Sequence, residues 1–216
     1  MKNLKFVISY SGGKDSMLSL YRMIQKGYKP AALLVTFDKN NNSWFHGIPK
    51  ELFQKTAEVL DIPLLEVNCP NGDDYSIEFS KALKNAKKLG IDLCVFGDID
   101  IENHKSWCLE RCNEAEIIGE FPLWQEDREK LTNEFLEIGF RTVIKKVNLN
   151  LLNKEFLGLI LTKEIVNNIK EMGCDPSGEN GEYHTFVFDG PIFKEKVDFE
   201  IIKKETSGDY GYLTIK

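Results

Sequence analysis

An apolar run at Leu4, Phe6, Val7 and Ile8 breaks into Ser11-Gly12-Gly13-Lys14-Asp15-Ser16, and helical apolar spacing resumes at once with Met17, Leu18, Leu20, Tyr21 and Ile24. A buried strand, a two-glycine turn and an amphipathic helix in direct succession mark the opening of an α/β unit, with the turn at the edge of a parallel sheet. Adjacent glycines let the backbone turn sharply and come close to an anion, and the first amides of the next helix point outward with partial positive charge. Lys14 adds a full charge, so this is a candidate phosphate site. The ligand-free alternative is a glycine turn capped by Ser and Asp; strand, loop and helix in register favour phosphate.

The segment is distinct from G-x-x-x-x-G-K-[ST], in which a hydroxyl after the lysine ligates magnesium. Here Asp15 follows Lys14, and Ile8 stands where the first glycine would be. Mg²⁺ prefers one or two carboxylates together with phosphate oxygens, which makes Asp15 a candidate ligand.

The first half alternates: strands at 4–9, 31–37, 63–69, 92–97 and 116–121 are expected between helices at 15–27, 49–61, 74–89 and 102–115. That pattern gives a Rossmann-like parallel sheet with helices on both faces. Ala32-Leu33-Leu34-Val35 and Leu93-Cys94-Val95-Phe96 are continuously apolar, as strands buried on both sides are. Ligands bind such sheets beyond the strands' carboxyl ends. Ser11 to Ser16, then Thr36-Phe37-Asp38, then Gly97-Asp98-Ile99 should therefore reach one rim. Thr36 and Phe37 either bracket an adenine or simply end a strand. Gly97 would admit a nucleotide closely, and Asp98 could bind magnesium or a hydroxyl.

Composition narrows the partners. The 216 residues hold 34 acidic and 28 basic side chains, a net charge of −6, which disfavours a surface that tracks nucleic acid. Lys84, Lys87, Lys88, Lys203 and Lys204 read as solvated faces. The five cysteines are odd in number and form no C-x-x-C, so buried thiols are expected rather than disulfides or zinc. No apolar run is long enough to span a membrane, and Met1-Lys2-Asn3-Leu4 lacks the features of a signal peptide, so the expected location is cytoplasmic.

After Pro122-Leu123-Trp124 the pattern changes to a helix at 126–139, a strand at 140–147, a helix at 163–172 and strands at 183–188, 197–203 and 210–215. This reads as a smaller α+β domain, 125–216, closing over a first domain of 1–124. It carries a second concentration of chemistry, Gly178-Glu179-Asn180-Gly181-Glu182-Tyr183-His184-Thr185-Phe186-Val187, followed by Asp189-Gly190-Pro191. Two carboxylates, a tyrosine and a histidine exceed what a connection needs, although a polar hairpin with one satisfied histidine is the structural alternative.

The S-G-G-x-D-S turn resembles the pyrophosphate loop of the N-type ATP pyrophosphatases. With Gly97-Asp98-Ile99, Pro122-Leu123-Trp124 and G-E-N-G-E-Y-H-T-F-V-F-D-G-P, nearly the whole chain resembles the diphthine ammonia ligase family, with Asn180 where the family often has glycine. The resemblance implies a fold of the adenine nucleotide alpha hydrolase type and an enzyme that adenylates the carboxylate of diphthine on elongation factor 2. Ammonia then captures the adenylate, with release of AMP and pyrophosphate. It implies ATP as co-substrate with Mg²⁺, phosphates held by Ser11, Gly12, Gly13, Lys14, Asp15 and Ser16, metal at Asp15 and Asp98, and Glu179, Glu182 and His184 facing the acceptor. Catalytic weight would then fall on Lys14, Asp15, Glu179, Glu182 and His184. Tyr183 with the two glutamates would meet the trimethylammonium group of diphthine. Lys2 in place of a nucleophilic cysteine suggests free ammonia as donor. Another carboxylate or tRNA acceptor, or a non-catalytic adenine nucleotide sensor, are the alternatives; the oligomeric state, a homodimer included, is left open by the sequence.

Overall fold

The computed structural model describes residues 4–70, 72 and 74–216; Lys2, and the expectation attached to it, lies outside them. Five strands, β1 (Lys5–Ser9), β2 (Lys29–Phe37), β3 (Leu64–Asn68), β4 (Leu93–Val95) and β5 (Ile118–Glu120), form a sheet in the order β3-β2-β1-β4-β5. Every pairing in it is parallel. Helices α1 (Lys14–Gln25), α2 (Lys50–Leu60), α3 (Tyr75–Lys88) and α4 (Glu102–Glu114) supply the crossovers. Strand order reverses at β1, between β2 and β4, so the crevice of the sheet lies above the loops that follow β1 and β4.

The chain then crosses to α5 (Arg128–Ile138), β6 (Arg141–Asn148), a 3₁₀ turn at Lys154–Phe156, α6 (Lys163–Glu171), β7 (Tyr183–Asp189), β8 (Ile201–Ser207) and β9 (Tyr210–Ile215). β6 to β9 make a four-stranded sheet of order β7-β6-β9-β8, antiparallel throughout. The expected strand at 197–203 starts later: Val197 is buried and its amide donates to the Phe188 carbonyl, a turn contact that delays pairing until Ile201.

One apolar core joins the two sheets. Phe6, Ile8, Met17 and Leu20 pack in the same cluster as Phe135, Phe140, Val143, Ile144 and Phe186. A second cluster, with Val7, Leu34, Phe79, Cys94, Cys108 and Cys112, fills the opposite face of the parallel sheet under α3 and α4. All five cysteines are free thiols, and burial raises Cys94 and Cys108 above the ordinary thiol range. No helix among the described residues is long and apolar enough to cross a membrane.

Candidate active site

Gly12 takes φ +81°, which favours glycine, and a Cβ there would lie 2.8 Å from Ile48 Cδ1. At Gly13 a Cβ would lie 2.6 Å from His46 Cε1, so the missing side chain is what seats the His46 ring against the turn. Ser11 Oγ accepts from the Gly13 amide at 3.2 Å, and the Ser16 hydroxyl donates to the Gly13 carbonyl at 3.0 Å. The second sheet is stitched onto this loop. The Val187 amide donates to the Gly12 carbonyl at 2.9 Å, and the Lys14 amide donates to Thr185 Oγ1 at 3.1 Å. Of the outward amides expected at the helix start, Lys14's is thus taken by the protein, while those of Asp15 and Ser16 have no acceptor within the helix.

A cavity of about 890 Å³ opens above the loop, within the range of small-molecule sites. Lys14, Asp15, Ser16, Gly97 and Asp98 line it from the parallel sheet; Glu179, Asn180 and His184 line it from the antiparallel sheet. Gly97 is needed for closeness, since a Cβ there would lie 2.8 Å from the Ser16 amide nitrogen.

The cavity is electrically uneven. On one side Lys14 Nζ pairs with Asp15 at 2.8 Å, and the His46 and His184 rings lie 4.7 Å apart. His46 Nδ1 donates to the Thr185 carbonyl at 2.9 Å, which leaves Nε2 of the neutral ring as the acceptor nitrogen. Burial, reinforced by the Lys14 charge, pushes His46 down to about 4. Burial and its neighbour His46 also hold His184 below the ordinary histidine range, so both rings are neutral at pH 7. On the acidic side, burial and the charge of Asp15 push the Glu179 carboxyl up to about 8. Burial likewise raises Asp98, with His104 Nδ1 3.6 Å from its carboxylate. Tyr75 and Trp107, ring centres 5.5 Å apart, line the cavity beside them.

The turn bearing Glu179 is held by three charged side chains. Asp175 accepts from the amides of Ser177 and Glu179. Glu182 accepts from the amides of Asp175 at 3.1 Å and Asn180 at 3.0 Å. Arg128, the first residue of α5, reaches Asp175 at 2.6 Å and Asn180 at 3.0 Å, and grips Asp100 through Nε and Nη2. One guanidinium therefore ties the loop after β4 to the turn before β7.

Three expectations need correction. Glu182 does not face the cavity: only 4% exposed, it spends its oxygens on backbone amides and shapes the turn from inside. Phe37 does not bracket a ligand, because it is fully buried in edge-to-face contact with Phe53, 5.6 Å between ring centres. Thr36 lines a small pocket that shares Ser9, Ser11, His46 and Tyr75 with the main cavity, so it adjoins the rim. Tyr183 is largely buried, its hydroxyl donating to the Pro176 carbonyl at 2.6 Å, and the ring face it shows to the cavity is already occupied by Lys14 Nζ, 5.8 Å from the ring centre. Sequence reasoning also passed over His46. The signal was present in Trp44-Phe45-His46, an aromatic run in a loop otherwise rich in asparagine, but only folding places it on Gly13.

Among the described residues no group of three His, Cys, Asp or Glu side chains is disposed to hold a metal ion. The residues do fit Mg²⁺ arriving with phosphates, which needs only one or two protein carboxylates. Asp15 and Asp98 line the same cavity, and each carboxylate's charge disfavours ionisation of Glu179, a repulsion that a cation would relieve.

A doubly wound sheet with a two-glycine turn at its switch point, roofed by an antiparallel sheet that adds carboxylates and histidines, defines an α/β protein built around a two-sided cavity. Residues 4–118 match the diphthamide synthase N-terminal domain and residues 127–216 the diphthamide synthase C-terminal domain; the chain belongs to the diphthamide synthase family. It is 25% identical over 236 residues to a diphthine–ammonia ligase of Schizosaccharomyces pombe, covering 95% of this chain but only 38% of that protein. A diphthine–ammonia ligase of Danio rerio is 23% identical, with 95% and 90% covered. A solved structure described as a predicted subunit of tRNA methyltransferase from Methanocaldococcus jannaschii superposes at a TM-score of 0.45 with 17% identity, covering 90% of this chain and all of that one.

Proposed function

We propose that the chain is an ATP-dependent, AMP-forming carboxylate–ammonia ligase, and that its acceptor is diphthine on elongation factor 2. The observation that carries this is the meeting, in one cavity, of the phosphate turn with Glu179 and His184 from the other sheet. The family membership and relatives named diphthine–ammonia ligase support the acceptor. In this reading residues 1–124 hold the nucleotide, and residues 125–216 supply the acceptor's wall together with Tyr75 and Trp107 of the first domain.

A carboxylate is a poor electrophile because its oxygen leaves badly. Attack of one carboxylate oxygen on the α-phosphorus of ATP breaks the α–β bond, forms an acyl-adenylate and expels pyrophosphate. Ammonia then attacks the acyl carbon, the C–O bond to AMP breaks, and one proton is released with the amide. Lys14 and the amides of Asp15 and Ser16 neutralise charge as it develops on the phosphates. Magnesium, when bound with the nucleotide, adds charge neutralisation there, with Asp15 and Asp98 as its protein ligands. The neutral rings of His46 and His184 are the groups able to take the ammonia proton, whereas the Glu179 carboxyl, raised to about 8, holds its own proton at pH 7. The trimethylammonium group of diphthine suits the other side, where the Tyr75 and Trp107 faces line the cavity.

Chromatography of the nucleotide products tests the assignment. With ATP, ammonia and diphthine-bearing elongation factor, AMP and pyrophosphate should accumulate in step with amide. Acceptor-dependent ADP as the main product would remove it.

A further inference from the structure

Lys145 sits at the bulge of β6, where pairing with β7 steps from Ile144↔Thr185 to Lys146↔His184. The extra residue is turned inward and is only 3% exposed. Its Nζ lies 3.8 Å from where a Cβ on Gly47 would stand, under the loop that carries His46. Among the described residues it makes no hydrogen bond or ion pair; the carboxylate that acts on it, Glu205, is already bonded to Lys203 and Thr214. A buried ammonium without a paired carboxylate is destabilising, and a methionine of similar volume would serve the packing better. Burial and the neighbouring Lys146 push this amine down to about 8, which leaves it largely charged at pH 7.

Its surroundings are one-sided. Lys14, Lys145 and Lys146 all act on His46, and Lys14 and Lys146 act on His184. Lys146 stands over the Tyr210 ring at 4.2 Å. Apart from Asp15, which is paired to Lys14, no carboxylate among the described residues bonds to any member of this group. Two buried lysines, Lys14 and Lys145, and the half-buried Lys146 around two neutral imidazoles are poised for an anion.

We propose that Lys145 is an electrostatic positioning residue for the anion end of the cavity, acting from behind the His46 loop to hold the terminal phosphates of the nucleotide and the pyrophosphate released from it. This rests on the AMP-forming reading above. It assigns to the bulge of β6 a role in binding, retained at the expense of stability.

The test uses the full chain, with pyrophosphate and AMP as separate probes in calorimetry and thermal unfolding alongside. Lys145→Met should weaken pyrophosphate at least tenfold, leave AMP within about twofold, and raise the unfolding midpoint. Lys145→Gln, which keeps a polar chain without charge, should lose pyrophosphate to the same degree. Unchanged pyrophosphate affinity in either variant, equal loss of pyrophosphate and AMP, or a wild-type chain that binds no pyrophosphate would each overturn the proposal. Neither probe needs an acceptor, so a failed amidation assay would remove the reaction and leave this result to stand or fall alone.

Discussion

The two chemically dense segments of this chain, 11–16 and 178–185, place their side chains in opposite ways. In the first, Lys14, Asp15 and Ser16 line the cavity, and the glycines between them and β1 exist to bring backbone and ring close. In the second, Glu179, His184 and an edge of Tyr183 line the cavity while Glu182, equally suggestive as a residue type, is turned inward to hold the turn. A run of polar residues at a helix start is exposed to ligand by the helix geometry itself. A run of polar residues in a turn must first satisfy the turn's own amides, so neighbouring glutamates end in unlike roles.

The largest expected effect belongs to the first segment. Asp15→Asn keeps the size and removes the charge beside Lys14 and the phosphates. Turnover should fall on the order of a hundredfold or more, as for loss of a transition-state electrostatic contact, with the unfolding midpoint close to wild type. Near-normal turnover would reduce Asp15 to a residue of the helix's first turn.

The contrast within the second segment is sharpened by a pair of variants. Glu182→Gln removes a buried anion from two backbone donors, and hydrogen bonds to charged groups contribute about 1.5–3 kcal/mol each. It should lower stability by a comparable amount and speed hydrogen exchange at Asp175 and Asn180, with acceptor affinity falling only as the turn loosens. Glu179→Gln should behave in reverse. The folded carboxyl titrates near 8 and the unfolded one near 4.5, so the unfolded chain releases its proton first and wild-type stability falls as pH rises through that window. The variant should escape this loss and be the more stable protein above pH 8, while amidation suffers. Equal stability losses in the two variants would dissolve the distinction between them.

A smaller effect tests the His46 side of the cavity. Its folded pKa is near 4 against 6.5 unfolded, so between those values the unfolded chain holds the extra proton and stability falls as pH is lowered from 6.5 to 4. His46→Asn should flatten that slope, measured as the unfolding midpoint against pH. A slope identical to wild type would mean that the ring is charged and solvated.

The parallel sheet was legible because its strands are short apolar runs and its turns carry glycine, signals that are local in sequence. The two-glycine turn between β1 and α1 was legible for the same reason. What the sequence hid is everything decided by pairing between distant segments. His46 reaches Gly13 only because β7 closes on the loop and its Thr185 carbonyl takes the ring nitrogen. Phe37 has the composition of a rim residue, yet the Phe53 ring from α2 covers it. Lys145 looks like one of a pair of surface lysines in Lys145-Lys146, and only the bulge turns it inward. Arg128 carries no motif, and its grip on Asp100 and Asp175 depends on two loops that lie far apart along the chain.

The central claim is that a carboxylate is activated at the α-phosphorus within this cavity. An acceptor carrying ¹⁸O in its carboxylate, incubated with enzyme, ATP and ammonia, decides it by mass spectrometry of the products. The account predicts one labelled oxygen in the phosphate of AMP for each amide formed; label in inorganic phosphate, with AMP unlabelled, would contradict it.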